Sequence, residues 1–468
     1  MPVPLWFFVL AIVVLGWQAF LLLMALFAPV MRYHFERFEV PANDSERFLR
    51  TLEALTDAQV NHHSRLKVLT NGEEFYSAEL QAIREATKSI NLEAYIFQRG
   101  KVSGKFLAAL SERARVGVKV NVVLDAIGSF STSRSYCAEL LKSGGKVEFY
   151  HPFNWRSVAS INNRTHRELL VVDGKCGFIG GAGMGDHWLI DKKRRRRWRD
   201  TVIQVEGDIV SNLQATFAEN WLETTGEVIF GDEYFPDLKE AGKAKAMVIN
   251  SSPSAGGSTR ARILFQALVS ASRSSVRINS PYFLPDFSML RELIRAAGRG
   301  VSIEIIVPGK KSDHALTRSS SRRLYGKLLE AGVQIYEYQP GMIHAKVMVV
   351  DGLWSVTGST NFDNRSFGIN DEVNLAACDQ QLASDLIHDF VADIAVSRKV
   401  TLQEWRRRSV MEKLHEAVGW PCNASSKPVS CAQPLKPAAQ SSATLIFPLI
   451  FNADSRLILR LISRIAAK

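Results

Sequence analysis

Two residues with complementary chemistry, His344 and Lys346, stand two positions apart in an otherwise apolar run, Ile343-His344-Ala345-Lys346-Val347-Met348-Val349-Val350-Asp351-Gly352. The run reads as a β-strand closing in an Asp-Gly turn, with a second strand and a small-residue loop, Gly358-Ser359-Thr360-Asn361, behind it. Side chains alternate along a strand, so His344 and Lys346 share a face while Ala345, Val347 and Val349 enter a core. An imidazole beside an ammonium suits phosphate chemistry. The imidazole can attack phosphorus or carry a proton. The ammonium can stabilise the charge on non-bridging oxygens. Ser359 and Asn361, one strand later, are placed to hydrogen-bond those oxygens.

The design occurs twice. Arg164-Thr165-His166-Arg167-Glu168-Leu169-Leu170-Val171-Val172-Asp173-Gly174 repeats it, followed by Gly180-Gly181-Ala182-Gly183. In both copies the histidine precedes the aspartate by seven residues and the last small-loop position, Gly183 or Asn361, by seventeen. The repeat extends upstream: 89–97 parallels 275–283, 117–123 parallels 300–306, and 145–150 parallels 332–337. His166 and His344 lie more than a third of the chain apart. A period that long marks duplicated domains, because solenoid repeats are much shorter.

Two copies of His-x-[Lys/Glu]-x4-Asp-x6-Gly-[Gly/Ser] resemble the motif of the phospholipase D superfamily. Three further stretches resemble its bacterial cardiolipin synthase branch: Asn279-Ser280-Pro281-Tyr282-Phe283-Leu284-Pro285-Asp286, Gly332-Val333-Gln334-Ile335-Tyr336-Glu337-Tyr338 and Asn361-Phe362-Asp363-Asn364-Arg365-Ser366-Phe367. The resemblance covers roughly residues 65 to 420 and is most specific in the second half. It implies an α/β fold of two tandem phospholipase D-like α/β/α domains, each with a mixed sheet, meeting at one active site. It also implies double displacement: one histidine forms a phosphohistidine while the other protonates the leaving alkoxide.

The first copy departs from the family pattern, because Glu168 stands where the family has lysine. By alternation Glu168 faces where His166 faces. A carboxylate there repels a phosphodiester and raises the pKa of a neighbouring histidine. Gly183 also stands where the second copy has Asn361. Three readings follow. The site works asymmetrically, with Lys346 carrying the phosphate; a cation such as Lys175 or the run Lys192 to Arg197 compensates; or catalysis is weakened or lost. Glu168 is counted with Ser359 and Asn361 among the residues facing the substrate.

A catalytic imidazole needs a partner on its other nitrogen. Asp200 follows His166 in the first copy, and Glu372 follows His344 in the second. The family has acidic residues at similar distances in the orienting role. Asp173 and Asp351 complete each motif and are counted with the catalytic set. Their place in Asp-Gly turns gives them a structural task, holding the hairpin.

Around this centre, 468 residues with 46% hydrophobic content allow two or three domains. Residues 1–31 carry no charged side chain. Within them Leu5 to Val30 exceeds the ~20 residues that cross a bilayer. We read residues 1–31 as a transmembrane anchor and 32–64 as a connecting segment. Residues 65–245 and 246–420 are read as the two catalytic domains, and 421–468 as a flexible tail. Arg32 and Arg37 follow the anchor and no Lys or Arg precedes it, which places the catalytic domains in the cytoplasm at the cell membrane, single-pass. In the tail, Arg456, Arg460, Arg464 and Lys468 recur every four residues beside Leu457, Ile458, Leu461, Ile462 and Ile465. That pattern is a basic amphipathic helix suited to an anionic membrane. The net charge of +11 fits the same partner.

The five cysteines show no zinc-site spacing and are expected as free thiols. The His-Lys mechanism needs no metal and no other cofactor. By resemblance, the expected activity is that of a membrane-anchored phosphatidyltransferase. It would join two phosphatidylglycerols into cardiolipin and release glycerol. Hydrolysis by a phospholipase D-type phosphodiesterase and lipid binding without turnover are the alternatives. Nucleic acid is not an expected partner, because the anchor argues against it. Family practice makes the first motif's histidine the nucleophile. Glu168 beside His166 instead suits a proton-carrying imidazolium, which gives the nucleophilic role to His344.

Overall fold

The repeat along the chain is also a repeat in space. The computed structural model describes residues 12–13, 16–17, 40–152, 163–189, 197–252, 260–410 and 412–413. In the first half, strands Lys146–Tyr150, Lys119–Asp125 and Ser89–Ala94 run parallel. Leu169–Val172, Cys176–Gly180, Thr201–Glu206 and Asn61–Thr70 then follow, each antiparallel to its neighbour. The second half repeats order and direction: Gln334–Tyr338, Ser302–Pro308 and Ser275–Asn279 run parallel. Val347–Val350, Trp354–Gly358, Glu372–Cys378 and Ala244–Ser251 then alternate. The tandem mixed sheets that the family resemblance implies are therefore present. Asn61–Thr70 also pairs with Ala244–Ser251, so the two sheets run on as one of 15 strands, with Ser397–Val400 added at one edge.

The strands after each histidine read as continuous apolar runs because both faces are covered. Leu170 and Val172 enter a first-half core with Phe75, Phe106 and Phe178. Met348 and Val350 enter a second-half core with Phe265 and Trp354. The alternate residues, Leu169, Val171, Val347 and Val349, meet in a third core that both halves share with Leu375 and Phe390. Each such side chain contributes about 1.5–3 kcal/mol on burial. Parting the halves would forfeit several at once, and the described residues through Arg406 cluster as one compact unit.

Helices Asn71–Glu85, Phe287–Gly298 and Gln380–Ala395 send Phe75, Met289 and Leu382 into these cores. Part of the expected connecting segment is structured. Helix Glu46–Thr56, capped by Ser45, sends Phe48, Leu49 and Leu52 into the second-half core. Cys137, Cys176 and Cys378 are free thiols. Among the described residues no helix is long and apolar enough to cross a membrane. The expected anchor lies almost wholly outside them, and the tail helix does so entirely.

Both Asp-Gly turns have positive φ at both residues, Asp173 53° and Gly174 63°, Asp351 55° and Gly352 64°. These are hairpin turns of the primed kind, which asparagine, aspartate and glycine tolerate best. The Asp173 carboxylate accepts from the backbone N–H of Thr87, Lys88 and Ser89. The Asp351 carboxylate accepts from Arg273, Ser274 and Ser275. Both aspartates are thus occupied in tying the hairpin to the loop before the neighbouring strand. This is the structural task that their Asp-Gly turns imply.

Candidate active site

The histidine segments are not part of the long strands that follow them. Strand Met342–Ile343 pairs in parallel with Trp198–Arg199 of the first half. His344 N donates to Arg199 O at 2.7 Å and Ala345 N to the same oxygen at 3.1 Å. His344, Ala345 and Lys346 then bridge to the strand Val347–Val350. The first half does the same in reverse. Thr165 bridges in parallel to Asp371, and His166 N donates to Asp371 O at 2.9 Å. Each histidine therefore lies beside the backbone that carries the other half's acid.

The side chains follow. His344 Nδ1 is 2.7 Å from Asp200 Oδ2, and His166 Nδ1 is 3.1 Å from Glu372 Oε2 and 3.0 Å from Ser359 O. The order along the chain had assigned Asp200 to His166 and Glu372 to His344. The structure crosses these pairs, because the parallel pairings bring each acid to the opposite motif. With Nδ1–H donating to the carboxylate, each imidazole keeps its lone pair on Nε2.

His344, Asp200 and Lys346 are all buried. Burial lowers the His344 pKa below the usual imidazole value and Lys346 lowers it further, against the pull of Asp200. Burial pushes Asp200 up, but His344, Lys346 and the Thr201 N–H outweigh it and hold its carboxyl below the usual range. Trp188 Nε1 donates to the same Asp200 oxygen at 3.0 Å. The Lys346 ammonium lies 3.0 and 3.1 Å from the two ring nitrogens of His344 and donates to His344 O at 2.9 Å. Its pKa is lowered by burial, against nearby acids. It fits against Gly181, where a Cβ would come 2.8 Å from Lys346 Cδ and 3.0 Å from Nζ.

Ser359 and Asn361 are buried at the same centre. Ser359 Oγ donates to Glu372, and Val373 N donates to Ser359 Oγ at 3.0 Å. Its hydroxyl therefore holds the acid. Asn361 Nδ2 donates to Ser366 Oγ at 3.3 Å, leaving Asn361 Oδ1 buried and unpartnered.

Glu168 does not present a carboxylate to the site. Its Oε1 accepts from Ile96 N at 3.0 Å, and only 6% of the residue is exposed. Gly183 makes this fold possible: a Cβ there would come 2.4 Å from Ile96 O and 2.7 Å from Glu168 Oε1. Burial raises the Glu168 pKa well above the ordinary value, with Asp200 and Glu79 adding to it against Ile96 N–H and Lys346. Burial thus favours the uncharged acid, which works against the expected repulsion of phosphate. Lys175 is no compensating cation, since it lies exposed in the hairpin turn with Asp173. Of the basic run, Arg197 Nη1 pairs with Glu73 Oε2 at 3.1 Å, and the remainder lies outside the described residues.

Several neighbours escaped the sequence reading. Trp198 and Trp188 wall His344, with ring centroids at 4.8 and 5.6 Å. His187 packs 4.1 Å from both indoles, and burial together with His344 pushes its pKa down to about 4. Tyr95 lies 4.9 Å from His166. Arg164 anchors the His166 segment through Asp125 at 2.9 Å, and Arg167 reaches Thr216 O at 2.9 Å and Ser252 Oγ at 3.1 Å. Glu79 had a signal: it sits with Phe75 and Ile83 at i, i+4 and i+8, a polar residue in the apolar stripe of its helix. Among the described residues no three His, Cys, Asp or Glu side chains are grouped to hold a metal ion.

Residues 80–221 and 264–394 match the family model described as "Cardiolipin synthase, PLD-like domain". The chain is 34% identical over 384 residues to a cardiolipin synthase of Geobacillus sp. (strain WCH70), covering 81% of this chain and 76% of that one. It is 33% identical over 356 residues to a cardiolipin synthase of Staphylococcus aureus (strain Mu50 / ATCC 700699), covering 75% and 72%. In fold it is similar to the crystal structure of phosphatidylserine synthase from Haemophilus influenzae Rd KW20. That match has a TM-score of 0.60 and 15% identity, covering 79% of this chain and 99% of that one.

Proposed function

The chain belongs to the cardiolipin synthase family of phospholipase D-like proteins, and on that premise we propose that it is a phosphatidyltransferase that forms cardiolipin from phosphatidylglycerol. The observation that carries the reading is the crossed site. His166 with Glu372 and His344 with Asp200 meet at one centre beside Lys346, so the two halves supply one double-displacement apparatus.

His344 is the nucleophile in this reading. Its burial and the adjacent ammonium favour the neutral ring, and Asp200 leaves Nε2 to attack. A P–N bond forms as the phosphorus–glycerol bond breaks. His166, beside the Glu372 carboxylate, gives its proton to the departing glycerol oxygen. It then removes the proton from the hydroxyl of a second phosphatidylglycerol. That oxygen attacks phosphorus, the P–N bond breaks, and cardiolipin leaves. Lys346 neutralises charge on the non-bridging oxygens throughout. Asn361 keeps an unpartnered buried oxygen and would add a polar contact to the substrate.

The uncharged run of residues 1–31 supports a single membrane-spanning anchor with the catalytic part on the cytoplasmic side. Both family matches fall inside the proposed catalytic domains 65–245 and 246–420. Anionic phospholipid is the substrate and the membrane the surface on which it is met.

The test is purified full-length protein with labelled phosphatidylglycerol. Cardiolipin and glycerol, lost with His344→Ala, are the expected products. Phosphatidic acid in place of cardiolipin would mean hydrolysis. Lipid binding with no product would mean a binding protein.

A further inference from the structure

Glu168 is one of two buried carboxyl groups that line a small cavity under the active centre. The other is Glu79, on helix Asn71–Glu85, with 4% of the residue exposed. Leu169, Phe178, Ala182 and Met184 complete much of the wall. Each glutamate leaves its Oε2 buried without a partner. Two such orphans in one cavity are costly unless something bonds to both. The cavity offers about 10 Å³ to the centre of a water-sized occupant, the space of a single molecule.

We propose that one water molecule occupies this cavity and bridges Glu79 Oε2 to Glu168 Oε2. The bridge keeps Glu168 uncharged and folded onto Ile96, which makes Glu79 a positioning residue for the active centre. A water can accept from a carboxylic O–H and donate to a carboxyl oxygen, so the bridge satisfies both orphans with the protons the pair already holds. Burial raises both acids, Glu79 to about 8. The charged or titratable groups around the pair are Tyr76 on the same helix, Tyr95 after strand Ser89–Ala94, Asp200 after Trp198–Arg199, and Lys346 from the second half. Of these, Lys346 is the cation. An ionised Glu168 would draw on the ammonium that the phosphodiester needs, beside an Asp200 already negative. The bridge is therefore how the first motif carries an acid where its family carries lysine.

The experiment has two arms on the full chain. Infrared spectra read the protonated-carboxyl stretch without any substrate. The wild type should show buried protonated carboxyl absorption at neutral pH. Glu168→Gln should remove part of it, and Glu79→Gln should remove a different part and shift the Glu168 band that remains, because the water's partner has changed. Unchanged absorption in Glu168→Gln overturns the neutral acid, and an unmoved Glu168 band in Glu79→Gln overturns the bridge. The second arm rests on the transferase reading. The kcat profile of Glu79→Gln should lose the fall that the wild type shows above about pH 8, raising the ratio of rates at pH 9 and pH 7 at least about threefold. A profile identical to the wild type leaves Glu79 merely structural and overturns its positioning role. A chain that makes no cardiolipin would refute the transferase reading, while the spectra still decide the bridge.

Discussion

Asp200 follows His166 in the first half of the chain, yet its carboxylate holds His344 of the second half, 2.7 Å from Nδ1. His166 in turn takes its acid, Glu372, from the second half. The active centre is a product of the interface between the halves.

Asp200→Asn should therefore damage the second motif, although it lies in the first half. The amide cannot stabilise an imidazolium and invites the wrong tautomer. We expect kcat for cardiolipin formation to fall roughly 10²–10⁴-fold, as for other oriented histidines, with KM little changed. Steady-state kinetics check this. A loss below tenfold would detach Asp200 from the mechanism.

The assignment of the nucleophile is open to trapping. With phosphatidylglycerol labelled at phosphorus, rapidly quenched wild-type protein should carry acid-labile, alkali-stable label on His344. His344→Ala should accumulate none. Label found on His166 in the active wild type reverses the two roles.

Two glycines should respond differently to the same added methyl group. At Gly183 the new Cβ meets the rigid Ile96 carbonyl at 2.4 Å, so Gly183→Ala should cost about 1–3 kcal/mol in thermal or urea unfolding. At Gly181 the nearest atoms are Cδ and Nζ of Lys346, which can move. Gly181→Ala should keep its fold and lose roughly 10²-fold in kcat through a displaced ammonium.

Glu79 makes stability depend on pH. Burial raises its acid from 4.5 to about 8, so between those values the folded chain holds a proton that the unfolded chain has released. Stability is full below about pH 4.5 and falls as pH rises toward about 8. Glu79→Gln should remove that fall. Each pH unit between the two values contributes about 1.4 kcal/mol. The variant should therefore exceed the wild type by on the order of 4 kcal/mol at pH 8 and match it near pH 4.5. Denaturant melts at the two pH values check the sign.

Asp351→Asn tests the scaffold role. Asparagine tolerates the positive φ of the turn, but its oxygen is uncharged and replaces a carboxylate that accepts from three backbone N–H groups. A stability loss of about 1–3 kcal/mol is expected, with kcat within about threefold of the wild type.

Much of this protein was legible in its sequence because the signals are local. The repeat, the His-x-Lys spacing, the Asp-Gly turns and the apolar strands Leu169–Val172 and Val347–Val350 are set by residue type and short-range period. Those features determined the tandem mixed sheets and the identity of the central residues. What the tertiary structure alone decided depends on contacts between distant segments. The parallel pairing of Met342–Ile343 with Trp198–Arg199 crosses the acids, and no spacing along one half encodes it. The Ser359 hydroxyl turns to Glu372 because the antiparallel strands Trp354–Gly358 and Glu372–Cys378 bring them together. Glu168 reads as a negative charge in the sequence. Its pKa rises well above the ordinary value because the fold removes water from it, and desolvation belongs to the packed surroundings.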